Sequence, residues 1–209
     1  MKEDISIINY EVGNISSICR AVEISGFTYK VIKTSKEVRQ SKKIILPGVG
    51  AFSQATTRLK KIGLFDEIID FANLGKPLLG ICLGMQILFE KSFEFGIHKG
   101  LGLIKGEVVS FKETFKNKNS LKVPIIGWES VSKLVEDPIL DSIIMPNKFY
   151  HLHSFYCKPE EKKNILLVKN IFEKNICVGI KKNNIYGFQF HPEKSREQGI
   201  QIIKNFCKL

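Results

Sequence analysis

Short apolar runs alternate with helically spaced segments through the first 90 residues, and no other feature of the chain restricts its fold as strongly. Ile5–Asn9, Tyr29–Lys33, Lys43–Leu46 and Leu78–Ile81 are predicted strands. Between them, Ile15–Ser25, Ser53–Lys61 and Phe65–Leu74 are predicted helices; Ile15, Ile18, Cys19 and Val22 share one helical face, and Gly26 stops that helix. A further helix is expected over Leu83–Glu90. Strands that alternate with helices build a parallel sheet covered on both faces. The second half differs. Val108–Phe111, Ile125–Ser132, Phe149–Tyr156, Ile165–Lys169, Ile176–Lys181 and Tyr186–His191 are predicted strands separated by turns rich in Asn, Gly and Pro, and Glu197–Cys207 is a closing helix. The expected fold class is therefore α/β. A single domain over residues 1–209 has a central, mostly parallel sheet flanked by helices, with additional antiparallel strands.

Composition narrows the partners. Hydrophobic residues make up 44% of the chain and charged residues 25%, which suits a soluble globular protein. No apolar run approaches the roughly 20 residues that span a bilayer, so no membrane partner is expected. The start, Met1-Lys2-Glu3-Asp4, lacks the series of basic, apolar and small residues of a signal peptide. The five cysteines (Cys19, Cys82, Cys157, Cys177 and Cys207) are scattered, with no CxxC pair. Neither a zinc site nor a disulfide framework is expected, and a cytoplasmic setting fits. The net charge of +11 comes mainly from dispersed lysines, as in Lys116-Asn117-Lys118-Asn119 and Lys181-Lys182-Asn183-Asn184. Without arginines clustered among exposed aromatics, that charge reads as solubility and steering of acidic ligands, not as a nucleic-acid surface.

Three local patterns carry chemistry. Gly80-Ile81-Cys82-Leu83-Gly84 places a cysteine between glycines where a strand passes into a helix. This has the form of a nucleophile elbow, and the N–H groups at the start of the following helix favour a thiolate. Free cysteine is also among the most buried residue types, so the motif alone leaves a structural thiol open. Tyr186, Phe188 and Phe190 alternate along a strand toward His191-Pro192-Glu193. Residues two apart on an extended chain face the same side, so Glu193 can orient the His191 imidazole. Pro47-Gly48-Val49-Gly50 follows another strand, and its amides can approach a ligand as an oxyanion hole. Taken together the three patterns name acyl transfer through a thioester: Cys82 attacks a carbonyl and His191 protonates the leaving amine.

These motifs closely resemble those of the class I, triad-type glutamine amidotransferases, in particular Gly-Ile-Cys-Leu-Gly-Met-Gln and Gln-Phe-His-Pro-Glu-Lys-Ser. Within that family the chain resembles the HisH-type glutaminase subunits of imidazole glycerol phosphate synthase. Pro47–Phe52, Gly100-Leu101-Gly102-Leu103, Val123-Pro124 with Gly127-Trp128, and His153-Ser154 match in the expected order. The resemblance makes residues 1–209 one glutamine amidotransferase type 1 domain. It implies that Cys82 attacks the side-chain amide of L-glutamine, that His191 is the general acid/base and that Glu193 orients it. It further implies an oxyanion strand at Gly48, Val49 and Gly50, and a glutamine pocket that includes Gln86, Glu94, Ser154 and Phe155. The implied partner is a HisF-like (β/α)8-barrel synthase, met in a heterodimer near Asn14, Trp128 and Lys194. No metal or organic cofactor is implied.

The chain departs from that pattern at Asn9-Tyr10-Glu11, where Asp-Tyr-Gly is usual, and at Ile125 and Glu129 in Pro124-Ile125-Ile126-Gly127-Trp128-Glu129, where His and Asn are usual. Phe155 stands where Tyr is more common. Two alternatives stay open at this point. A paralogous subunit would supply ammonia for amidino sugars of surface polysaccharide, and a regulatory subunit would keep the fold without catalysis. His153, His98 and His151 are expected to serve structure, packing or surface, and Cys19, Cys157, Cys177 and Cys207 packing.

Overall fold

The computed structural model describes residues 5–11, 13–118 and 120–209; the charged start at residues 1–4, and Val12 and Asn119 within predicted loops, lie outside the described residues. The parallel part of the sheet is built first. Strands β1 (Ile5–Ile8), β2 (Tyr29–Ile32), β3 (Lys43–Leu46) and β4 (Leu78–Ile81) are connected through α1 (Ile15–Ile24), α2 (Ser35–Gln40), α3 (Phe52–Lys61) and α4 (Phe65–Asn73). After β4 come α5 (Leu83–Ile87), β5 (Phe89–Ser92), β6 (His98–Lys99), β7 (Ile104–Ser110) and α6 (Phe111–Thr114). The rest is β8 (Ile125–Lys133), β9 (Asn147–His153), β10 (Phe155–Pro159), β11 (Ile165–Ile171), β12 (Lys174–Lys182), β13 (Ile185–Phe188) and α7 (Arg196–Lys208), with short 3-10 turns between some of them.

The sheet runs β2-β1-β3-β4-β13-β12-β10-β7-β5-β6, and β11, β8 and β9 branch from β12. From β2 to β13 every neighbour is parallel. Beyond β13 the pairing is antiparallel except between β5 and β7. Alternation along the parallel strands feeds two cores. Ile44 and Leu46 enter one with Phe52 and Leu59 of α3 and Ile68 and Phe71 of α4. Ile45 enters the other with Ile18 and Val22 of α1 and Ile202 and Phe206 of α7. A third cluster joins Phe111, Ile125, Tyr156 and Ile176 in the antiparallel half. The fold class is the expected one.

Local boundaries correct the sequence reading in three places. The helix expected over Leu83–Glu90 ends at Ile87, because Phe89–Ser92 leaves the helix to pair with β7. The strand expected over Phe149–Tyr156 is two strands that break at Ser154: β9 pairs with β8, whereas β10 pairs with β7 and β12. The strand expected to end at His191 stops at Phe188, and His191 precedes a 3-10 turn that Pro192 opens.

Candidate active site

Strand register places the nucleophile candidate. In the parallel pair β4–β13, Ile81 lies level with Phe188, so Cys82 and Gln189 leave the sheet side by side. The Cys82 N–H donates to the Phe188 carbonyl at 2.7 Å. Cys82 itself holds φ 55° and ψ −110°, a conformation that costs a non-glycine residue about 1–3 kcal/mol. Close packing enforces it. A Cβ on Gly84 would sit 1.9 Å from the Leu46 carbonyl oxygen, and one on Gly80 would sit 2.7 Å from that of Gly84. The two glycines thus let α5 pack against the ends of β3 and β4 and lift Cys82 to the cleft.

His191 reaches the same place from β13. Its Nδ1–H donates to Glu193 Oε1 at 2.8 Å, which leaves Nε2 free for Cys82, whose side chain lines the same cavity. Burial pulls the imidazole down, but hydrogen bonds and charge at Cys82 and Glu193 outweigh it and hold the ring up at about 10. A clamp fixes the His191 backbone. Its N–H donates to Tyr150 O at 2.9 Å, and the Ser195 hydroxyl donates to His191 O at 2.6 Å while accepting from the Tyr150 N–H at 3.0 Å.

A cavity of about 280 Å³ opens between these groups, lined by Val49, Gly50, Cys82, Gln86, Glu94, Ser154, Phe155 and His191, among others. Of the pocket residues expected from sequence, only Gly48 lies off the lining. It is buried beneath, where a Cβ would meet the Tyr10 hydroxyl, Gly84 N and Leu83 Cβ within 3 Å. The Tyr10 hydroxyl donates to Pro47 O at 2.8 Å and braces this loop from inside. Gly50 has φ +88°, which glycine adopts without strain. Glu94 accepts from the Phe52 N–H at 2.6 Å, at the start of α3, and so holds a carboxylate at the cavity wall.

Outside the cavity, Trp128 is half-exposed, with the Arg196 guanidinium 4.7 Å over its ring, and Lys194 Nζ lies 5.8 Å over Tyr150. Asn14 sits one residue beyond Gly13, whose Cβ position faces Pro47 of the loop at 3.4 Å. The departures have local reasons. Glu11 takes φ +66°, with its N–H on the Asn9 side chain and its carboxylate on Arg58. Ile125 is buried in the third cluster, and Glu129 pairs with the nearly buried Lys169 at 2.7 Å.

Gln189, Tyr10, Tyr150 and His151 shape the site although sequence reasoning gave them no role in it. Gln189 opens the Gln-Phe-His-Pro-Glu-Lys-Ser motif, but the spacing Tyr186-x-Phe188-x-Phe190 around it speaks only of a strand. His151 lies wholly inside, so a surface position is excluded for it. The other four thiols pack in helices and strands; burial pushes Cys177 up to about 12 and holds Cys157 well above its ordinary value. Among the described residues, no cluster of His, Cys, Asp and Glu is arranged to hold a metal ion, and no helix is long and apolar enough to cross a membrane.

A thiol beside an imidazole, a carboxylate behind that imidazole and a glycine loop at the wall of an open cavity can cleave an amide by acyl transfer. Residues 6–209 match the family of class-I glutamine amidotransferases, and the chain belongs to it. The imidazole glycerol phosphate synthase subunit HisH of Wolinella succinogenes is 38% identical over 205 residues, covering 98% of this chain and 99% of that one. Its namesake in Chlorobium luteolum is 39% identical over 202 residues, covering 97% and 98%. Among solved structures, PurLQS from Thermotoga maritima shares the fold at a TM-score of 0.74 and 22% identity, covering 100% of this chain and 99% of that chain.

Proposed function

We propose that the chain is a HisH-type glutaminase subunit in which the Cys82 thiolate attacks the side-chain carbonyl of L-glutamine. The observation that carries this reading is the thiol–imidazole–carboxylate line of Cys82, His191 and Glu193 at the wall of a cavity large enough for one amino acid. Amides of the Gly48–Gly50 loop receive the oxyanion as the tetrahedral intermediate forms. His191 gives its proton to the departing nitrogen, ammonia leaves and a γ-glutamyl thioester remains on Cys82. Water then attacks the thioester, His191 takes its proton, and glutamate is released with the thiolate restored. Gln86, Glu94, Ser154 and Phe155 hold the glutamine. The ammonia passes to a HisF-like (β/α)8-barrel synthase that makes imidazole glycerol phosphate in histidine biosynthesis, in the cytoplasm.

A surface suited to that partner borders the cavity mouth. On the outward face of the β8–β9 pair, Ile126 lies opposite Leu152 and Trp128 opposite Tyr150. Ile126, Trp128 and Leu152 are exposed there, as is Val49 across the mouth. An apolar strip of this kind, edged by Lys194 and Arg196, fits a protein partner. Names of the relatives favour histidine biosynthesis over amidino-sugar synthesis. The test mixes the full chain with its cognate barrel subunit and follows glutamate release and ammonia-dependent cyclisation together. Turnover that needs the barrel, is abolished by Cys82→Ala and is weakened in coupling by Trp128→Ala supports the reading. Absence of Cys82-dependent glutamate release in the complete complex overturns it.

A further inference from the structure

One backbone carbonyl fixes the polarity of a buried chain of side-chain amides. Phe155 O can only accept. It accepts from His153 Nδ1 at 2.7 Å and from Gln86 Nε2 at 3.3 Å. The atom that Gln86 turns to Phe155 must therefore be its nitrogen. That same nitrogen lies 3.0 Å from Gln189 Oε1. Both of its N–H groups are then engaged, and Gln86 Oε1 is left as the acceptor available to the cavity. Because Gln189 presents its oxygen to Gln86, its own nitrogen points the other way, and it lies 3.9 Å from Cys82 Sγ. Gln189 has no exposed surface, and its N–H donates to Val178 O at 2.9 Å, so the side chain starts from a fixed root.

We propose that Gln189 is a positioning residue of the site, which locks Gln86 with its carbonyl oxygen toward the substrate and aims its own N–H at the Cys82 sulfur. In this arrangement the sulfur has His191 on one side, a neutral donor in Gln189 and the Leu152 carbonyl oxygen at 3.9 Å, which only the protonated thiol can use. The neutral donor suits the thiolate present before attack and again when water displaces it from the thioester. The locked Gln86 offers substrate an acceptor and no donor, which favours an N–H group of glutamine over a carboxylate oxygen in the same place. The inference rests on the glutaminase reading only for its substrate, since the amide chain and the sulfur contact are independent of which amide is cleaved.

Two variants separate the two duties, and two readouts separate this inference from the glutaminase reading. Gln189→Leu removes both contacts; Gln189→Glu keeps an acceptor for Gln86 but offers the sulfur no N–H. The first readout is the pH profile of Cys82 alkylation by iodoacetamide, which needs no turnover. Gln189→Leu is expected to move that profile to higher pH through loss of the N–H alone, and Gln189→Glu further, because it also sets a carboxylate beside the sulfur. The second is the steady-state kinetics of the complete complex with glutamine. Gln189→Leu is expected to raise KM about tenfold, the equivalent of one lost hydrogen bond to substrate. Gln189→Glu is expected to leave KM near the parent value and lower kcat. An unmoved alkylation profile in Gln189→Glu overturns the proposal, and so does a Gln189→Leu that only lowers the melting temperature. If Gln189→Leu does not fold, Gln189→Met takes its place, since it too lacks the N–H and adds no charge. A shifted alkylation profile in a complex that releases no glutamate sustains the positioning role and removes the glutaminase reading.

Discussion

Two buried pairs meet at this site, one of a histidine with a carboxylate and one of two histidines, and the first holds a charged ring where the second holds neutral ones. His191 has Glu193 two residues on; His151 has His153 two residues on. Burial pushes all three imidazoles toward the neutral form. For His191 the carboxylate and the Cys82 thiol reverse that push and hold the ring up at about 10. For His151 burial is reinforced by His153, Lys169 and His191, and the ring falls to about 2; for His153 burial outweighs the hydrogen bond to Phe155 O that favours the charged ring, and it falls to about 4. Hydrogen bonding follows suit. His153 Nδ1–H donates to Phe155 O, so its Nε2 accepts from His151 Nδ1–H at 3.1 Å, and His151 Nε2 is left buried without a partner. Burial depth is therefore a poor guide to the state of a histidine here; the group bonded to it decides. In the proposed reaction the first pair moves a proton, whereas the second ties the end of β9 to Phe155 of β10.

The largest effect expected from breaking this contrast is at the thiol. Cys82→Ala should lower glutamate release by on the order of 10⁴-fold in the complete complex, measured by coupled glutamate assay. Glu193→Gln keeps the shape but removes the charge behind His191. It should cost about 10²–10⁴-fold in kcat and move the alkaline limb of the rate profile to lower pH. In the parent protein that limb should fall as His191 loses its proton near pH 10. An unfolded imidazole titrates near 6.5. A raised imidazole contributes stability fully below pH 6.5 and loses it as pH climbs toward 10. The neutral pair has the opposite sign. Its contribution is full above pH 6.5 and is lost as pH falls toward 4, at about 1.4 kcal/mol per pH unit for each ring. His151→Phe, placed against Phe190, should therefore flatten the acid side of the urea-denaturation profile by about that slope and change stability little at pH 8.

How legible all this was in sequence differs between the two halves. The parallel half was readable because β1, β3 and β4 are short, largely buried apolar runs and α1, α3 and α4 each carry a clear apolar stripe. Helix α2 was missed because Val38 is its one buried residue, although its capping box, Thr34 with Glu37, stands in the sequence. The antiparallel half was readable in its strands but not in its partners. Phe149, His151 and His153 alternate inward without a break, yet at Ser154 the chain changes neighbours from β8 to β7 and β12. Side-chain periodicity records which face is buried, not which strand lies alongside. The same limit hid Gln189. Its place in Gln-Phe-His-Pro-Glu was visible, but its contact with Cys82, 107 residues earlier, depends on the register of β13 against β4. The elbow, by contrast, was legible because its need is local: Gly80 and Gly84 answer clashes within the turn and against the adjoining strand end.

The most direct test is the protonation state of His191, read by ¹⁵N NMR in histidine-labelled full-length chain with His191→Asn to assign the signals. An imidazolium that keeps both protons at pH 8, titrates near pH 10 and drops markedly in Cys82→Ala is the expected result. A neutral His191 ring at pH 8, or one whose titration is indifferent to Cys82, would contradict the thiolate–imidazolium pair.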